Sequence, residues 1–148
     1  MNLTLAFIAH RSRSDLFDPA IQNYLKRVAP YATIESVPFR EEETLFAFVS
    51  RSRARTPGWL VLLDSRGSEL SSEDFAKWLA TRRDSGLQSI VFAVGPASGW
   101  SGQALRNAQT TLSLGKMTLP HELARLVLAE QLYRAFTILA GHPYHIGH

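Results

Sequence analysis

The residues best equipped for chemistry lie in the last third of the chain. Glu130 and Arg134 are four apart, so on a helix they share one face, and their neighbours Leu128, Leu132, Ala135 and Phe136 are apolar. Such a pair is either a simple helix-stabilising contact or a cation held in position by a carboxylate. Beyond it the sequence reads Gly141-His-Pro-Tyr-His-Ile-Gly-His148, with His142, His145 and His148 at a spacing of three. Imidazole serves as a proton acceptor near neutral pH or as a metal ligand. Pro143 and Gly147 oppose a helix that would align the three rings, and no carboxylate follows, so no metal site is expected. A docked tail that brings Tyr144 and His145 to a site is expected instead.

Two glycine-bearing segments add a second kind of chemistry. Gly95-Pro-Ala-Ser-Gly99 and Gly115-Lys-Met-Thr-Leu-Pro120 each follow an apolar run, where glycine lets a ligand approach the backbone. Asp64-Ser-Arg-Gly67 is a third of the same type. Plain turn chemistry explains any one of them alone; three together suggest a shared cleft. Other signatures are missing. There is no GxxxxGK[ST] loop, no GxGxxG after the first apolar run, no GxSxG and no HExxH. The absence of cysteine excludes disulfides, thiolate-ligated metals and a thiol nucleophile.

The elements that must position these residues follow from hydrophobic spacing. Leu3–Ala9, Thr33–Val37 (ended by Pro38), Trp59–Leu63 (ending at Asp64), Ser89–Val94 and Leu112–Leu114 read as strands. Asp15–Val28, with Leu16, Ile21, Leu25 and Val28 inward, reads as a helix, as do Glu41–Arg53, Ser71–Arg83 and Pro120–Leu139. Strands apolar on both faces, alternating with helices, predict an α/β fold: a mostly parallel sheet with helices on both faces. In such sheets ligands bind beyond the carboxyl ends of the strands. The 148 residues, 45% hydrophobic and 20% charged, suit one globular domain over 1–148. No apolar run is long enough to cross a bilayer and no signal peptide is evident, so no membrane partner and a cytoplasmic location are expected. Thirteen of the sixteen basic residues are arginines, grouped at Arg11/Arg13, Arg51/Arg53/Arg55 and Arg82/Arg83. Their planar forks suit phosphate, although a merely soluble surface has the same composition.

Read in order, Leu119-Pro-His-Glu-Leu-Ala-Arg-Leu-Val-Leu-Ala-Glu-Gln-Leu-Tyr-Arg-Ala-Phe-Thr-Ile-Leu-Ala-Gly-His-Pro-Tyr-His145 resembles the C-terminal signature of the RlmH family. Asn23-Tyr-Leu-Lys-Arg27, Leu62-Leu-Asp-Ser-Arg-Gly67 and Ser71-Ser-Glu-Asp-Phe-Ala76 extend the resemblance along the chain. These are SPOUT-class enzymes that methylate N3 of a pseudouridine in 23S ribosomal RNA. The resemblance implies a C-terminal trefoil knot, a homodimer, ribosomal RNA or the ribosome as partner, and S-adenosyl-L-methionine as methyl donor without a metal. It implies cofactor contacts at Leu63, Gly95, Gly115, Lys116, Met117, Thr118, Leu119 and Pro120. The sequence departs from the family at Val94–Gly99, one residue longer than usual, at Ile146 in place of a basic residue, and at Ala9-His-Arg-Ser-Arg13.

Methyl transfer to a ring imide requires the nitrogen deprotonated, in line and close. On that reading Arg134, oriented by Glu130, stabilises the anion, His145 accepts the proton, and Tyr144 stacks on the base or donates to its carbonyl. Which group is the base stays open at the level of sequence. So do two alternatives: an inactive RNA- or ribosome-binding relative, and a SPOUT enzyme for another RNA position.

Overall fold

The computed structural model describes residues 1–9 and 16–146. Arg11, Arg13, the expected helix start at Asp15, and the terminal Gly147 and His148 lie outside the described residues. The elements are β1 (Asn2–Ile8), α1 (Asp18–Val28), β2 (Thr33–Phe39), α2 (Glu42–Arg55), β3 (Gly58–Glu69), α3 (Ser72–Asp84), β4 (Ser89–Val94), α4 (Gly102–Asn107), β5 (Thr110–Ser113) and α5 (His121–Ala140). A single 3-10 turn, Pro143–His145, follows.

The five strands form one sheet in the order β2-β1-β4-β3-β5, and every pairing is parallel. Alternate side chains of a strand point to opposite faces, and each face carries its own core. On one face Leu3, Leu5, Val61, Ile90 and Phe92 pack against Ile21 and Leu25 of α1, Phe75 and Leu79 of α3, and Leu128 and Leu132 of α5. On the other, Leu60, Leu62, Val91 and Ala93 pack against Leu45 and Val49 of α2, Ala104 of α4 and Trp100. Ser71 caps α3 as its spacing predicts, its hydroxyl accepting from the Asp74 amide at 3.0 Å.

Four local expectations are corrected. Leu16 is not inward: it is 87% exposed, because α1 begins only at Asp18. Pro38 does not end β2. The strand runs to Phe39 because β2 is an edge strand, where a residue without an N–H leaves no neighbour unpaired. Strand β3 does not stop at Asp64; it bulges over Asp64–Gly67 between two registers with β5, Leu63 to Leu112 and Ser68 to Leu112. Helix α4 has only six residues, too short for a periodic signal, and was not among the expected elements.

Candidate active site

The bulge of β3 and the segments that leave β4 and β5 enclose a cleft of about 200 Å³. Of the residues expected to hold the cofactor, Leu63, Gly95, Gly115, Met117, Thr118 and Leu119 line it. Lys116 and Pro120 belong to the same segment without being part of its lining. The walls are mostly apolar, from Leu63, Val94, Leu112, Leu114 and Ala124, with backbone exposed along the glycine segments. That is the character of a small-molecule site.

The local conformations have separate causes. Gly115 adopts φ +137°, a region that L side chains avoid, and its N–H donates to the Ser113 hydroxyl at 3.1 Å. Gly95 also has to leave room for an indole: a Cβ built there falls 2.8 Å from Cε2 of Trp100, which lines the cleft beside it. Trp100 is buried, and its Nε1–H donates to the Leu63 carbonyl at 2.9 Å, tying the segment after β4 to β3 just before its bulge. Glu42 fixes the next residue, accepting from the Ser101 amide at 2.8 Å and the Ser101 hydroxyl at 2.6 Å.

Among the described residues two ionisable groups line the cleft: Asp64, from the third of the expected segments, and His121, which was given no role from sequence. His121 follows directly on the run that the resemblance supplied. Asp64 accepts from Arg66 at 3.0 and 3.1 Å, and that guanidinium holds its carboxyl below the ordinary range.

The expected catalytic residues gather elsewhere. Arg134 donates through Nε to Glu130 at 2.9 Å and through Nη1 to Nδ1 of His145 at 2.8 Å. The Tyr144 hydroxyl donates to Glu130 at 3.1 Å, and its ring lies 4.9 Å from the Arg134 guanidinium carbon. Arginine has no acceptor, so Nδ1 of His145 is the lone-pair nitrogen and Nε2 carries the hydrogen. That Nε2–H donates to Glu73 at 2.7 Å. Glu130 also accepts from Gln131, which in turn accepts from the Ser72 hydroxyl. Ser72, Gln131, Glu130, Arg134, His145 and Glu73 thus form a continuous circuit that joins α3, α5 and the tail. Glu73, in the first turn of α3, is a partner of His145. The bond from His145 holds its carboxyl below the ordinary value. Burial, reinforced by Tyr24 and Glu130, pushes the Tyr144 phenol well above its ordinary value.

The tail therefore docks as expected, and Glu130, Arg134, Tyr144 and His145 are one group. They are not in the cleft. Ala124, which lines it, precedes Arg134 by ten residues of continuous helix, about 15 Å along the axis.

Comparison with known proteins follows the same lines. The family model described as "Predicted SPOUT methyltransferase" matches residues 1–145. The protein named ribosomal RNA large subunit methyltransferase H from Koribacter versatilis is 45% identical over 148 residues, all of both chains. The protein of that name from Geotalea daltonii is 46% identical over 114 residues, 77% of this chain and 71% of its own. Among solved structures, the SpoU methyltransferase AviRb from Streptomyces viridochromogenes, in complex with the cofactor AdoMet, aligns with a TM-score of 0.51 at 14% identity. That alignment covers 90% of this chain and 57% of AviRb. A probable methylase family protein from Haemophilus influenzae aligns at 0.53 with 12% identity, over 95% of this chain and 66% of its own. At such identities the two structures support the fold alone. The full-length sequence matches support more: the chain belongs to the SPOUT methyltransferase family.

Proposed function

We propose that this protein methylates N3 of a pseudouridine in large-subunit ribosomal RNA, with S-adenosylmethionine as donor. The observation that carries the reading is 45% identity, end to end, with a protein named for methylation of that RNA. The cleft supports it, because its apolar walls and exposed backbone suit an adenine and a ribose, and because it adjoins strand ends in an α/β sheet. When bound, the donor supplies an electrophilic methyl group. Leu63, Leu114 and Leu119 would flank it, with Gly115 giving backbone access. The trefoil threading belongs to the same proposal.

The chain's own residues then have three tasks. The imide N–H must lose its proton, the charge left on the ring oxygens must be stabilised, and the ring must be held in place. Arg134, fixed by Glu130, stabilises the charge. His145 takes the proton at Nδ1, which requires Arg134 to release that nitrogen and swing toward the ring oxygens. One movement thus frees the base and delivers the cation. Tyr144 stays protonated throughout and remains a donor.

The separation of about 15 Å between the two groups argues for a homodimer in which one chain's tail faces its partner's cleft. Met117 beside the cleft and Ile146 at the end of the described tail, 85% and 76% exposed, are apolar side chains a second copy would cover. The test of the function is methyl transfer to ribosomal RNA, with the modified base located by mass spectrometry. His145→Ala should lower turnover by about 10²–10⁴-fold and leave S-adenosylmethionine affinity unchanged. Full turnover in that variant removes His145 as the base. Failure of the wild type to bind the donor refutes enzymatic function and favours a non-catalytic RNA-binding role.

A further inference from the structure

Every helix from α1 to α4 is followed directly by a parallel strand, so all four end at the amino edge of the sheet, opposite the cleft. Their last turns carry Lys26 and Arg27, Arg53 and Arg55, Arg82 and Arg83, and Arg106. Basic residues suit helix carboxyl ends, and one or two would need no further explanation. Here the ends of α2 and α3 are both tied to the starts of β3 and β5. Arg53 donates to the side chain of Gln109, just before β5. Arg82 lies 4.6 Å from the ring of Trp59, at the start of β3, and 4.9 Å from that of Trp78. Trp59 in turn donates to the Thr110 hydroxyl at 2.9 Å. Arg55 and Arg83 are exposed on the same helix ends, whereas the Arg106 guanidinium folds back to Gly102 at the start of α4. The nearby acid is Asp84, which pairs with Arg83 at 3.2 Å. Among the described residues Arg55 and Arg106 have no ion pair.

We propose that this arginine-rich edge, Arg53, Arg55, Arg82 and Arg83 at the ends of α2 and α3, is a second RNA-docking surface that grips phosphates of structured RNA remote from the target base. The inference rests on the proposed RNA substrate and adds where the rest of that RNA is held. Three features select RNA over an anionic membrane. All four cations are arginines, whose forks match phosphate oxygens. The half-buried indoles of Trp59 and Trp78 hold Arg82 rigid, as an aromatic support for a basic groove does. The exposed large apolar residues, Leu16, Tyr31, Leu70, Met117 and Ile146, are not part of this group, so it offers nothing to insert into lipid.

The test is equilibrium binding of bacterial large ribosomal subunits across a salt series, with methyl transfer measured in parallel. Arg55→Gln/Arg83→Gln should weaken binding at least tenfold near 0.1 M salt. It should also flatten the plot of log affinity against log salt by about one and a half, since each lost phosphate contact removes roughly 0.7–0.9 from the slope. S-adenosylmethionine affinity should not change, which shows that the variant is folded. Arg55→Gln alone should flatten the slope by about 0.8. Unchanged affinity and slope in both variants overturn the docking surface, even if wild-type methyl transfer is normal. Equally, loss of binding to phosphatidylglycerol vesicles with subunit binding intact overturns it in favour of a membrane. Patch-dependent subunit binding without methyl transfer would support the surface while refuting the enzymatic reading.

Discussion

At the scale of single residues, the tail is organised by what each group is able to donate or accept. Arg134 can only donate, which fixes the tautomer of His145 and sends the remaining N–H to Glu73. Two consequences depend on pH. Tyr144 ionises above its ordinary value of 10 because of burial, the Tyr24 hydroxyl and the Glu130 charge. Its contribution to stability is whole below pH 10 and is lost as pH rises toward the folded-state value. Tyr144→Phe should therefore cost about 1 kcal/mol at neutral pH, and its deficit should shrink above pH 10 in urea titrations. Glu73 has the opposite sign. Its carboxyl sits below the ordinary value, so its contribution is present above that value and fades as pH falls through the folded one. In Glu73→Gln the amide oxygen still accepts from His145, so the acid-induced release of the tail expected for the wild type should vanish. The His145 ring resonances in NMR would report it.

At the scale of elements, close approach of backbones explains two glycines. A Cβ at Gly67 would lie 2.6 Å from the carbonyl carbon of Thr111, so the β3 bulge touches β5 directly. Gly67→Ala should cost at least about 2 kcal/mol, since backbone cannot move aside as a side chain can, and chemical denaturation would measure it. At Gly95 the obstacle is the indole of Trp100. Gly95→Val should weaken S-adenosylmethionine binding by displacing Trp100 and breaking its bond to Leu63, at a cost of about 1–3 kcal/mol in stability. Tryptophan fluorescence should shift in the unliganded variant. An unshifted spectrum with weakened binding would mean that the valine blocks the ligand itself.

At the scale of the whole molecule, the cleft and the tail group lie at different heights of α5, and the proposed dimer joins them. Mixing two inactive variants tests this. One, Gly115→Val, has a damaged cleft and an intact tail; the other, Arg134→Ala, has the reverse. Heterodimers restore one complete site if tail and cleft come from different chains. Activity should then recover to about a quarter of the wild-type level at equal mixing, given random pairing and one site per heterodimer. No recovery under conditions where subunits exchange would place both halves in one chain.

Much of this was legible in the order of residues. The continuous apolar run Ser89–Val94 marks its strand with the observed bounds, because a strand buried on both faces leaves an unbroken hydrophobic record. Ile21, Leu25 and Val28 face inward as their spacing predicts. Glu130 and Arg134 pair because i and i+4 meet on any helix. The cleft segments were visible because glycine and proline after apolar runs mark strand ends. The rest depended on contacts between residues far apart in sequence. The extension of β3 past Asp64 comes from its pairing with β5, about fifty residues on, and no local pattern records a partner. Glu73 joins His145 across 72 residues, and Trp100 reaches Leu63 across 37. Periodicity is a property of one element against an unspecified core. Which helix end meets which tail, and which glycine yields to which ring, is decided only when the elements pack.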